Sequence, residues 1–191
     1  VPVIEDACES LGFQKPRGDI ACYSFYGNKV LTAGEGGMIC GAVGNAAEYR
    51  DGGFDADYRH KTPGLNYRMT NIQAAIALAQ LERMEALLAP RRRNVEIYSR
   101  SITGRGRWMF AAQVDDPRGL ATVLAERGVE TRPVFTPLNF CPAFKQFGAG
   151  KYRNAEAIWE RGLVLPTGPH VNAEQVEMIC EVIQKWQSAH T

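Results

Sequence analysis

Ile20-Ala21-Cys22-Tyr23-Ser24-Phe25-Tyr26-Gly27-Asn28-Lys29 is an apolar run that breaks into a turn and ends on a lysine. Its first part, Ile20–Phe25, has the apolar and aromatic composition of a strand, and Gly27-Asn28 mark the turn. Upstream, Val1–Glu5 predicts another short strand, of the kind buried in a parallel sheet, with Asp6 at its C-terminal tip. Downstream, the turn-rich Thr32-Ala33-Gly34-Glu35-Gly36-Gly37 leads into a third strand, Gly37–Ala42. Asp6, Ser24 and Lys29 thus fall toward one sheet edge. In open α/β sheets, ligands sit beyond the carboxyl ends of the strands.

Composition narrows the surroundings of that edge. The 191 residues are 45% hydrophobic and 23% charged, with 22 Lys and Arg against 21 Asp and Glu, a net charge of +1. Such a balance excludes a broad electrostatic footprint for nucleic acid or an anionic membrane. No apolar run approaches the roughly 18 residues of a membrane span. No basic segment followed by an apolar one marks an export signal at the start. The five cysteines, at positions 8, 22, 40, 141 and 180, form no Cys-x-x-Cys pair, and the three histidines lie far apart. A zinc site or disulfide framework is therefore not expected, and the cysteines suit a reducing cytoplasm.

Beyond the third strand, Asn45–Tyr49 starts a helix, and residues 51–69 are loop-like. Thr70-Asn71-Ile72-Gln73 is a capping box, and Ile72, Ile76, Ala79, Met84 and Leu87 follow as an apolar stripe. Pro90 is expected to kink or end that helix, with another across Arg91–Arg100. From about residue 105 a small α+β pattern begins. It comprises a strand at Trp108–Val114, a helix at Arg118–Arg127 stopped by Gly128, and a strand at Val129–Phe135 broken by Pro133. Helices follow at Ala155–Arg161 and Ala173–Ser188, the last with Val176, Ile179, Ile183 and Trp186 on one stripe. The expected division is a sheet-based portion, 1–88, and a smaller α+β domain, 89–191.

The chemistry of Asp6, Ser24 and Lys29 matches pyridoxal 5'-phosphate. A lysine amine forms a Schiff base with the aldehyde, a carboxylate pairs with the pyridinium nitrogen, and a hydroxyl donates to the phosphate. Singly, each residue has a plainer reading: Asp6 as a helix N-cap, Lys29 as a solvated turn residue.

Longer motifs extend the match. Val3-Ile4-Glu5-Asp6-Ala7-Cys8-Glu9-Ser10-Leu11-Gly12 is similar to the pyridine-binding segment of the DegT/DnrJ/EryC1 family of sugar aminotransferases. Gly18–Lys29 followed by Thr32–Gly37 resembles its Schiff-base segment, and Leu65-Asn66-Tyr67-Arg68-Met69-Thr70-Asn71-Ile72-Gln73-Ala74-Ala75 its next hallmark. Gly128-Val129-Glu130-Thr131-Arg132-Pro133 and Leu163-Val164-Leu165-Pro166 resemble its small domain. The resemblance implies an α/β fold, the C-terminal part of an aspartate-aminotransferase-like (fold type I) enzyme. It would hold part of the large-domain sheet and the small domain.

By the same resemblance, Lys29 is the Schiff-base lysine and proton shuttle, Asp6 holds the pyridinium, and Ser24 binds phosphate. Asn66 reaches the cofactor phosphate of the other subunit in a homodimer. Arg68 adds charge for phosphate or donor carboxylate, or is simply solvated. Arg132 lines the substrate pocket or forms a structural ion pair. Glu9, where many members carry His or Gln against the cofactor, resembles the perosamine synthase branch. That branch transfers an amino group from glutamate to C4 of GDP-4-keto-6-deoxymannose. An ordinary helix-start glutamate is the alternative.

Related sugar 3-dehydratases carry His in place of the lysine, and a His cannot form an imine. Lys29 therefore favours an aminotransferase. Asn139 stands where that branch tends to have His, and Arg91-Arg92-Arg93 is expected to be a solvated helix start. The nucleotide (GDP, UDP or dTDP) and amination at C3 or C4 stay open, as does surface-polysaccharide or antibiotic-sugar synthesis. Family chains are nearly twice as long, and their N-terminal half brings a phosphate-binding Gly-Ser/Thr segment. The expectation is a fragment that does not transaminate alone; a non-catalytic dimerising remnant or a pyridoxal-binding regulator is the alternative.

Overall fold

The computed structural model describes residues 1–148 and 150–190. Two compact units divide the chain, Val1–Leu88 and Ala89–Thr191. The first contains β1 (Ile4–Asp6), β2 (Ile20–Ser24), β3 (Gly37–Gly41), α1 (Ala46–Arg50) and α2 (Asn71–Leu81). A longer helix, α3 (Met84–Ser101), carries the chain into the second. That unit continues with β4 (Gly104–Gly106), β5 (Phe110–Gln113), α4 (Pro117–Ala125), β6 (Arg132–Pro133), α5 (Arg153–Arg161), β7 (Gly162–Leu165) and α6 (Ala173–Ala189). Two 3-10 turns, Leu138–Phe140 and Pro142–Phe147, lie between β6 and α5.

In the first unit β2 is central. It pairs in parallel with β1, placing Asp6 opposite Cys22, and antiparallel with β3, placing Ser24 opposite Gly37. The three-stranded sheet is therefore mixed. The strand expected at Val1–Glu5 begins only at Ile4, and it is not buried: Ile4 is 70% exposed. Among the described residues nothing pairs with its outer edge, so its apolar side chains find no cover. Its inner edge is fixed by Glu5, whose carboxylate accepts the amides of Arg17 and Gly18.

Thr70 caps α2 as its sequence indicates. The hydroxyl accepts the Gln73 amide and the Gln73 side chain accepts the Thr70 amide. The apolar stripe does not become a core, since Ile72 is 75% exposed and α2 has no buried residue. The helix instead packs Ala77 against Phe25, Leu31 and Ala33. Pro90 neither ends nor begins a helix. The interruption comes earlier, between Leu81 and Met84, and Pro90 lies inside α3. Its ring removes the hydrogen bond its amide would give to the Ala86 carbonyl and crowds that carbonyl, yet the helix continues through it.

The second unit has a four-stranded antiparallel sheet in the order β4-β5-β7-β6. Tyr98 of α3, Phe110 and Leu165 of the sheet, Leu120 and Leu124 of α4, and Val176, Ile179 and Ile183 of α6 share one core. Fully burying such side chains contributes about 1.5–3 kcal/mol each. Burial of Asn94 and the Tyr98 hydroxyl on α3 requires partners, and the segment before α6 supplies them. Asn94, fully buried, donates to the Val171 carbonyl at 2.9 Å, and the Tyr98 hydroxyl donates to the Pro166 carbonyl at 3.0 Å. Arg91 is not a solvated helix start: burial pulls its pKa down, and Arg93 donates to the Val171 carbonyl. Among the described residues, no helix is long and apolar enough to cross a membrane.

Candidate active site

Because β1 and β2 run in parallel with Asp6 opposite Cys22, Asp6 and Ser24 emerge at the same C-terminal edge. The chain leaves β2 through Phe25 and turns at once. The Lys29 amide donates to the Tyr26 carbonyl at 3.0 Å, closing the turn that carries the lysine. The return is anchored by burial: Val30, Leu31 and Ala33 are 8%, 2% and 4% exposed. Thr32 secures it on two sides. Its hydroxyl donates to the Phe25 carbonyl at 3.1 Å, and its amide donates to Gln80 Oε1 of α2 at 3.0 Å. Gly36, at φ +114°, then turns the chain into β3 in a conformation that favours glycine, with Met69 Cε only 2.9 Å from where a Cβ would stand. A buried apolar plug and a cross-helix hydrogen bond thus fix the backbone on which Lys29 is mounted.

Around the lysine lie two carboxylates. Glu9 Oε1 is 3.4 Å from Lys29 Nζ, and Lys29 lowers the pKa of Asp6 through its charge. The larger causes of the Asp6 shift are hydrogen bonds from the Cys8 thiol and from the Cys8 amide, the latter at 3.1 Å. The same interaction, with burial added, raises the Cys8 thiol to about 11. Asp6 therefore stays ionised and Cys8 stays protonated near neutrality. An anion kept ionised beside an amine is what a protonated pyridine nitrogen and an aldehyde require. Ser24 Oγ accepts the Tyr26 amide at 3.2 Å, which leaves its hydroxyl proton for an anion. These residues fit pyridoxal 5'-phosphate.

Cys8, Thr32 and Gln80 had not been singled out from sequence. The spacing Asp6-x-Cys8, which lets a carboxylate accept an amide two residues on, is a local signal that could have marked the first. Nothing local marks Gln80, whose partner lies 48 residues away.

The other candidates are more dispersed. Asn66 forms an isolated bridge with Asp51, and Arg68, also exposed, helps lower the Asp51 pKa after the larger effect of Arg50. Arg132 belongs to the second unit, where it is paired at 3.0 Å with Glu130, both largely exposed. A pair so exposed contributes little to stability. Asn139 donates to Glu156 Oε1 at 2.9 Å. Among the described residues no His, Cys, Asp or Glu cluster could hold a metal ion. A groove of about 990 Å³ also opens in the first unit, lined by Tyr23, Met38, Tyr49, Tyr67 and Leu78 among others. Asp6, Glu9, Ser24 and Lys29 are not among its lining residues.

Comparison with known proteins gives this lysine edge a context. The model of the DegT/DnrJ/EryC1/StrS aminotransferase family matches residues 1–184. The chain belongs to that family. It is 35% identical to a GDP-perosamine synthase of Caulobacter vibrioides and 34% identical to one of Escherichia coli O157:H7. These matches take in 96% and 97% of the chain but 58% of each relative, so it spans little more than half of their length. A Streptococcus pneumoniae chain solved in its PLP-form superposes with a TM-score of 0.85 at 22% identity, over 100% of this chain and 58% of the other. The fold is thus that of the DegT/DnrJ/EryC1/StrS aminotransferases, present over part of their length.

Proposed function

We propose that this chain carries the lysine-bearing part of a pyridoxal 5'-phosphate-dependent aminotransferase acting on a nucleotide-linked keto sugar. The observation that carries the reading is the ionised Asp6 beside Lys29 at the edge where β1 and β2 end. When bound there, the cofactor supplies an aldehyde and a ring that takes up electron density. Asp6 holds the ring nitrogen protonated. Ser24 donates to the phosphate. Lys29 supplies the amine that anchors the aldehyde, and then moves the proton between substrate carbon and cofactor.

The perosamine synthase relatives support a finer reading: glutamate as donor, and C4 of GDP-4-keto-6-deoxymannose as acceptor. Glu9 and Arg68 then face cofactor and donor, and Arg132 the sugar pocket. Exposed Asn66 reaches the neighbouring subunit's phosphate in a homodimer. Cys8, Cys22, Cys40, Cys141 and Cys180 are all free thiols, as suits work in the cytoplasm. The match takes in 58% of each of these relatives, and the reading concerns the part of the reaction that these residues serve.

A chimera tests this reading. Residues 1–191 replace the matching segment of the Caulobacter vibrioides enzyme, and the purified protein receives glutamate and GDP-4-keto-6-deoxymannose. The expected product is the 4-amino sugar nucleotide, with the rate falling on the order of 10³-fold in Lys29→Ala. A folded chimera that binds the cofactor without aminating this sugar overturns the substrate assignment.

A further inference from the structure

The ion pair between Glu9 and Lys29 is lopsided. Lys29 Nζ lies 3.4 Å from Glu9 Oε1, but the lysine side chain is 15% exposed and the glutamate's 51%. The fold thus covers most of the lysine side chain while leaving its partner in solvent. Glu9, Asp6 and the Cys8 thiol all lie within electrostatic reach of this amine. They differ in freedom. Asp6 is tied to its own turn by the Cys8 amide, and Cys8 is protonated near neutrality. Glu9, half in water, is the carboxylate able to swing away without breaking the turn.

We propose that Glu9 is a positioning residue for Lys29, parking the ammonium at the end of the sheet and so limiting how fast the amine meets an electrophile. The proposal rests on Lys29 being the amine that anchors the cofactor, and it concerns a step before any turnover. Glu9 keeps the nitrogen close to Asp6. When an aldehyde arrives, the carboxylate withdraws and the amine is released toward it. A carboxamide at this position would leave the amine less firmly held in place.

The test uses the 191-residue chain without cofactor. Acetic anhydride, an uncharged electrophile, is added in short pulses at pH 8, and acetylation is read peptide by peptide by mass spectrometry. Lys15 and Lys61, both exposed, serve as internal references. In Glu9→Gln, Lys29 is expected to acetylate at least threefold faster while the references keep their rates. Glu9→Asp, which preserves the charge, should fall in between. An unchanged or slower Lys29 overturns the proposal, as does a uniform rise at all three lysines, which would mean general loosening. A parallel sample receives pyridoxal 5'-phosphate and borohydride. If Lys29 takes no adduct there, the cofactor reading fails, while the acetylation ratio still decides the role of Glu9.

Discussion

Asp6 owes its charge to its immediate neighbours more than to the lysine it faces. Hydrogen bonds from the Cys8 thiol and amide lead the causes of its lowered pKa, and the charge of Lys29 follows after the opposing effect of burial. The coupling is visible from the other side, because Asp6 is the first cause raising Cys8 from 9.0 to about 11. Asp6→Asn removes the anion and leaves the burial, so the thiol pKa should fall. Each unit of fall gives about tenfold more thiolate at pH 8. Alkylation of Cys8 by iodoacetamide should rise several-fold or more, measured against Cys141. An unchanged rate would contradict the bonding of thiol to carboxylate. Asp6, Ser24 and Lys29 were legible in the sequence because their chemistry stands at the ends of recognisable strands. The support under them was not. Thr32 and Gln80 meet only through the packing of α2, and Glu9 meets Lys29 only when two turns converge.

Between elements, β1 is tied to the approach to β2 by Glu5. Its pKa is lowered chiefly by the amides of Gly18 and Arg17, which favour the ionised form. A carboxylate with a depressed folded pKa adds stability above its unfolded value and loses it as pH falls through the folded one. The ordinary value here is 4.5, so the loss should begin just below it. The urea midpoint of the chain should therefore drop between pH 5 and pH 3. In Glu5→Gln, which keeps an acceptor and discards the charge, that drop should be smaller. Equal drops would mean other carboxylates carry the acid sensitivity. The capping box of α2 was legible because both partners lie within one turn, while the matching box of Asn172 and Gln175 on α6 went unread. The stripe on α2 misled, since periodicity shows which residues share a face and not whether anything covers it. Pro90 misled too, because a proline forbids one hydrogen bond and the helix on either side can outweigh that loss. The short strands β4 and β7 went unread: Gly104-Arg105-Gly106 has no strand propensity, and only pairing with β5 makes it a strand.

For the whole molecule, the two units are unequal in how fully they enclose their apolar residues. The second has a continuous core drawn from α3, α4, α6 and its sheet. The first leaves Val3, Ile4, Met38, Ile39, Ile72 and Leu78 exposed, and its small core centres on Phe25, Leu31 and Ala33. That small core includes Leu31 and Ala33, directly after Lys29. The lysine loop is therefore where an activity should first declare itself, ahead of any sugar chemistry. Incubating the chain with pyridoxal 5'-phosphate, reducing with borohydride and mapping the product by mass spectrometry tests this most directly. One pyridoxyl group on Lys29, absent in Lys29→Arg and weakened in Asp6→Asn, is the predicted result. Labelling spread over Lys15, Lys61 and other exposed lysines, with no preference for Lys29, would contradict it.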